Sequence, residues 1–136
     1  MRSYVFEAVK KKFIIDESGF IIDLSDNKWG GSFPWKEHLL MIEEELRLIG
    51  TFKFVIYKDT SDNYRVQAIP VDPSSFISRV PLHQEWQGLR DDKLVEKSGI
   101  PESFFVHATG FIGGNKTREG AIQMAKKSLE LHVANS

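Results

Sequence analysis

Phe104-Phe105-Val106-His107-Ala108-Thr109-Gly110-Phe111-Ile112-Gly113-Gly114-Asn115-Lys116-Thr117 runs straight into Arg118-Glu119-Gly120-Ala121. Phe104 to Val106 reads as a short apolar strand, which Gly110 breaks and Phe111-Ile112 resumes. Gly113-Gly114 then lets the backbone turn without a Cβ penalty, and Thr117 is placed to cap a final helix. The expectation is a strand, a bare glycine corner and a helix start. Backbone N–H groups at such a corner lack intrahelical partners and can receive a phosphate or carboxylate. Lys116 and Arg118 add positive charge beside it, and the segment through Lys126-Lys127 is locally basic. His107, at the strand end, is a further candidate donor to a phosphate.

Working outward, the final helix carries Ala121, Met124, Ala125, Ser128 and Leu129 on one face, small enough in part to dock closely on a sheet. Upstream, Asp91 to Lys97 predicts a short helix ended by Ser98-Gly99-Ile100-Pro101. Val71 to Gly88 is mostly loop, and a connection of that length is often functional. Within or beside it, Trp86 with Arg79 and Arg90 could stack on a base, or Trp86 and Leu89 could plug the loop while Arg90 pairs with Asp91 or Asp92. Thr51 to Lys58 predicts a central strand, with Phe52, Phe54 and Ile56 on one face and Val55 and Tyr57 on the other. Tyr64 to Ile69 returns from it as a hairpin.

Pro34 opens a helix whose Trp35, His38, Leu39, Ile42 and Leu46 form one stripe, with Glu37, Glu43, Glu44 and Glu45 mainly elsewhere. Gly30-Gly31 loosens the loop before it, with Trp29 and Trp35 covering a core edge. Phe13-Ile14-Ile15 and Phe20 to Leu24, separated by Asp16-Glu17-Ser18-Gly19, predict another hairpin. Residues 1–12 read as the tail of a linker or preceding helix, and the abrupt start as one inside a longer chain; residues 13–136 read as a single domain. The fold class expected is α+β, a mixed, largely antiparallel β-sheet with helices packed against it.

A chain of 136 residues buries about two-thirds of its unfolded surface without staples. It has no cysteine, which removes disulfides, thiol catalysis and cysteine-ligated metals, and fits an intracellular setting. Its formal net charge of -1 argues against a surface that coats nucleic acid generally. No apolar run approaches the roughly 20 residues of a membrane helix, so no membrane partner is expected. His38, His83, His107 and His132 form no local metal motif, and the glycine corner is neither a P-loop nor a dinucleotide fingerprint.

Pro34-Trp35-Lys36-Glu37-His38-Leu39, Phe54-Val55-Ile56-Tyr57, Trp86 to Asp91, Ser98-Gly99-Ile100-Pro101 and Phe105 to Ala121 resemble the MYG1 protein family, in order and across essentially the whole chain. The resemblance implies a division of labour. Full-length members are similar to DHH-type phosphoesterases, with a larger N-terminal catalytic domain bearing metal motifs. They are described as 3′-to-5′ RNA exonucleases of mitochondrion and nucleus, and also as metal-dependent protein hydrolases. This chain looks like the C-terminal substrate-binding domain, inactive alone, with Mn²⁺ or Mg²⁺ implied for the absent domain and none here. The implied partners are RNA or a nucleotide phosphate and the catalytic domain. Gly113 and Gly114 match the glycines of a phosphate-gripping turn, where Asn115 replaces a histidine common in the wider superfamily. The substrate-binding set is therefore His107, Gly113, Gly114, Asn115, Lys116 and Arg118. The alternative is a structural domain that docks on the catalytic domain or forms a homodimer, its glycines serving only a tight turn.

Overall fold

The computed structural model describes residues 1–29 and 34–134. The Gly30-Gly31 expectation lies outside them. A five-stranded sheet of order β1-β2-β3-β5-β4 organises the chain: β1 (Ile21–Asp23), β2 (Phe54–Lys58), β3 (Tyr64–Ala68), β4 (Ser103–Val106) and β5 (Ile112–Asn115). β1 pairs parallel with β2, and every other neighbouring pair is antiparallel. The fold is thus α+β with a mixed, mostly antiparallel sheet and helices packed on it, as the hydrophobic patterns imply.

Each face of the sheet has its own core. On the first, Phe54, Ile56, Val66 and Val106 pack with Leu82, Trp86 and Leu94, and with Ala121, Met124 and Ala125 of α5 (Arg118–Ala134). Leu94 comes from α4 (Asp91–Ser98), which Gly99 ends at φ +72°. The small side chains of α5 let it lie close on β3 and β5. On the second face, Ile22 and Val55 pack with Val5 and Val9 of α1 (Arg2–Lys10) and with Trp35, Leu39 and Ile42 of α3 (Trp35–Glu45). These helices cover the β1–β2 half of that face. Trp86 is 1% exposed, so it plugs the long loop and presents no ring for stacking; Arg90 is exposed.

Three expectations are corrected. Phe13-Ile14-Ile15 is not a strand but α2 (Lys12–Ile15), a single helical turn on which Phe13 and Ile14 stay exposed. A three-residue apolar run fits either period, and here no strand is available to pair with it. β1 instead reaches β2 in parallel, with α3 as the crossover. Phe52 precedes β2 and packs with the α1/α3 core rather than with Phe54 and Ile56. Glu43, expected off the apolar stripe of α3, is 1% exposed.

The β2–β3 turn is built on Asp59. Its carboxylate accepts the Ser61 N–H at 2.8 Å, the Asn63 N–H at 3.0 Å and Arg65 Nε–H at 2.9 Å. Burial alone would raise this carboxyl, but the Asn63 and Ser61 N–H groups and the Arg65 guanidinium outweigh it and hold it below the usual carboxylate range. A carboxyl depressed on folding stabilises the folded state fully above its unfolded value of about 3.9, and that stability is lost as pH falls through the lower folded value. Asp59→Asn is therefore expected to lower stability at neutral pH and to flatten its decline below about pH 4. Urea unfolding across pH 2–7 reads this, and parallel curves for the two proteins would contradict it.

Candidate functional site

Gly113 and Gly114 do not make a corner. Both lie within β5, which pairs with β3 and β4 on either side: Gly113 stands opposite Val66 and Val106, and Gly114 opposite Arg65 and Phe105. A Cβ on Gly113 would sit 2.8 Å from Leu82 Cδ1 and 3.1 Å from the Phe105 carbonyl oxygen. One on Gly114 would run into the Phe104 and Phe105 rings. These rings share a face because Phe104 is an extra residue, opposing Gly114 together with Phe105 in a β-bulge. The glycines are thus required for close approach within the sheet. The turn comes after them, at Lys116-Thr117.

Asn115 closes the strand. It is fully buried, and all four hydrogen-bonding positions of its amide are used inside the chain. Nδ2 donates to the Pro101 carbonyl at 3.0 Å and to Ser103 Oγ at 3.1 Å. Oδ1 accepts the Thr117 N–H at 2.8 Å and the Thr117 hydroxyl at 2.9 Å. Thr117 Oγ1 in turn accepts the Gly120 N–H at 2.9 Å, which caps α5 as its sequence position foretells. Asn115 therefore sets the start of α5 rather than offering its own amide outward.

Lys116 and Arg118 flank that start, both exposed. Lys116 Nζ is 4.0 Å from the Glu102 carboxylate, a loose surface pair. Arg118 donates through Nε (2.8 Å) and Nη2 (2.5 Å) to Asp23 Oδ2 at the end of β1. The helix start, a half-engaged guanidinium and a near-free ammonium form a surface to which a phosphate could bind.

His107 lies at the other end. It follows β4, whereas Lys116 follows β5, and the antiparallel pairing sends the two apart. Traversing β5 alone takes on the order of 10 Å. The turn between them is closed by the Gly110 N–H on the His107 carbonyl at 2.8 Å, with Gly110 at φ +75°. His107 Nδ1 accepts the Thr109 N–H at 3.1 Å, and its ring lies edge-on to Phe111 at 4.7 Å. His107 lines a cavity of about 570 Å³ under the loop that follows β3.

That loop holds what the sequence reading missed. Arg79 donates to both carboxylate oxygens of Glu43, at 2.7 and 2.8 Å, and to the Phe52 carbonyl at 2.8 Å. Glu43 also accepts the Phe52 N–H at 3.0 Å. The pair anchors the base of an arch over residues 70–79. No local signal connects residues 36 apart, though a glutamate between Leu39 and Leu46 on the helical wheel was compatible with it. Among the described residues, no group of three or more His, Cys, Asp or Glu side chains is placed to hold a metal ion. Among them too, no helix is long and apolar enough to cross a membrane.

The family described as Uncharacterised protein family (UPF0160), MYG1_exonuc, matches residues 1–129. The chain is 52% identical over 128 residues to the MYG1 exonuclease of Bos taurus, covering 94% of this chain and 32% of that protein. It is 48% identical over 128 residues to the MYG1 exonuclease of Homo sapiens, covering 94% and 33%. It is 51% identical over 96 residues to the MYG1 protein of Dictyostelium discoideum, covering 71% and 29%. The chain therefore spans about a third of the length of these relatives. No solved structure matches it.

Proposed function

Because the chain belongs to the MYG1 exonuclease family (UPF0160), we propose that it is the substrate-binding part of a metal-dependent 3′-to-5′ RNA exonuclease. The observation that carries this is the pairing of a family match across residues 1–129 with relatives about three times as long. The chemistry is assigned to a catalytic domain outside this chain, of the DHH phosphoesterase kind and dependent on Mn²⁺ or Mg²⁺, with this chain as its C-terminal partner in mitochondrion and nucleus. The Lys116 and Arg118 side chains and the first N–H groups of α5 take an RNA phosphate. Gly113, Gly114 and Asn115 act indirectly, as the tight strand and cap that fix that helix start. His107 serves RNA further along the sheet rather than the same phosphate.

A second reading, a domain that docks or dimerises without touching substrate, is favoured by the internal engagement of Gly113, Gly114 and Asn115. One experiment separates the two. A fluorescently labelled single-stranded RNA of about ten nucleotides is titrated with the chain and with a Lys116→Ala/Arg118→Ala variant, reading anisotropy at several salt concentrations. The expected result is binding that weakens with salt, with a shallower salt dependence in the variant because two phosphate contacts are gone. Equal affinities and slopes would select the docking reading. Cleavage of RNA by the chain in Mn²⁺ or Mg²⁺ would overturn the division of labour.

A further inference from the structure

We infer that the cavity beneath the 70–79 arch is a seat for a nucleotide, with the base held between aromatic rings and the phosphate at Lys36. This site is separate from the start of α5 and goes beyond the proposed function; it is argued from the chemistry of its own walls.

The arch is held in shape. Pro70 bridges to Ser78, the Val71 N–H donates to the Ile77 carbonyl at 2.9 Å, and the Arg79 N–H donates to the Ile69 carbonyl at 2.9 Å. Asp72 accepts the Ser74 N–H at 3.0 Å and its hydroxyl at 2.8 Å, while Ser75 Oγ accepts the Ile77 N–H at 2.9 Å. The buried Arg79–Glu43 pair pins the base. On this braced arch Phe76 is 100% exposed, and it lines the cavity. Phe111, 37% exposed and buttressed by the edge of His107, lines the same cavity. Two rings that a braced scaffold leaves open to water are a stacking surface for a planar ligand.

The polar groups select what kind of planar ligand. The Thr109 N–H on His107 Nδ1 makes that nitrogen an acceptor, so the neutral ring carries its proton on Nε2, which has no partner among the described residues. Gln67 uses Oε1 to accept from the Tyr57 hydroxyl at 2.8 Å, which leaves its NH₂ as a donor. Lys36 has no carboxylate partner among the described residues and only approaches the Trp35 ring at 6.0 Å. All three residues line the cavity, and among the described residues no acidic side chain does. The walls thus offer donors and positive charge between aromatic surfaces. An acceptor-rich planar base carrying a phosphate complements that set, and about 570 Å³ lies within the range of small-ligand pockets.

The test is an NMR titration of the chain with uridine and adenosine 5′-monophosphate, with ribose 5-phosphate as the control lacking a base. Saturable shifts are expected at the amides of Gln67, Phe76, His107 and Phe111, with much weaker ones for ribose 5-phosphate. Phe76→Ala, fully exposed and so harmless to folding, is expected to weaken binding about tenfold, the loss of one stacking ring. Lys36→Ala is expected to weaken the nucleotides but not the free nucleosides. Absence of saturable shifts here at millimolar nucleotide, or equal shifts with ribose 5-phosphate, would overturn the inference. Shifts confined to Lys116–Glu119 would overturn it while leaving the proposed function standing, and shifts confined to the cavity would support it.

Discussion

Arg79→Met is expected to lower the stability of the chain by about 3–5 kcal/mol, because it strands a carboxylate in the interior. Glu43 is 1% exposed, and the Arg79 side chain 7%. Removing the guanidinium leaves Glu43 with the Phe52 N–H as its remaining hydrogen-bond partner among the described residues and uncovers the Phe52 carbonyl. Such a carboxylate either stays charged at a high desolvation cost or takes up a proton. The double variant Glu43→Leu/Arg79→Met removes both charges, and it is expected to be more stable than Arg79→Met alone. It does not reach the parent, since the Phe52 N–H and carbonyl, each worth about 1–3 kcal/mol when orphaned, have lost their partners. Urea denaturation of the four proteins of this cycle gives the coupling. A single-variant loss under about 1 kcal/mol would show that the pair behaves as a surface bridge. Because the pair anchors the arch, the same variant is also expected to blur the amide signals of residues 70–79.

Asn115→Ala is expected to cost on the order of 2–4 kcal/mol, for the loss of a hub rather than of a ligand contact. The substitution removes the donor to the buried Ser103 hydroxyl, which keeps only its own bond to the Ile100 carbonyl, and both bonds that hold Thr117, and with them the geometry of the α5 cap. Asn115→Asp discriminates between the halves of the hub. It keeps the acceptor for Thr117 but sets a carboxylate oxygen against the Pro101 carbonyl, where an NH₂ donor stood. It is expected to be at least as destabilising as alanine near neutral pH and to improve as the carboxyl protonates in acid. Stability measured at pH 7 and pH 4 reads this. If Asn115→Asp were neutral at pH 7, the Nδ2 bonds would carry no weight, and a direct substrate role for the amide would regain force.

The β2–β3 hairpin, α3, α4 and α5 were legible because each spells out its own period. Residues 54–57 form an apolar run with hydrophobic residues on both faces, residues 64–68 alternate, and α3 and α5 carry apolar residues at helical spacing. Phe13-Ile14-Ile15 was too short to declare a period, and what decided it was the parallel pairing of β1 with a strand about 30 residues later. Gly113-Gly114 misled for a different reason. Two glycines signal a turn when read locally, but here the missing side chains make room for Phe104, Phe105, Leu82 and Met124, which only the assembled sheet brings to them. The candidate site divided on the same point. With β5 extended through the glycines, His107 and Lys116 fall at opposite ends of a strand instead of around one corner. The Glu43–Arg79 pair and the cavity under the arch depend on contacts across the fold, so neither had a sequence signature to read.

In the proposed division of labour this chain binds substrate and leaves the cutting to another domain. The most direct measurement of this is a titration of the isotopically labelled chain with single-stranded RNA in the presence of Mg²⁺, following amide shifts and the RNA in the same tube. Saturable shifts are expected at Lys116, Thr117, Arg118 and Glu119, with the RNA intact at the end. An unmoved spectrum at millimolar RNA, or RNA shortened from its 3′ end, would contradict it.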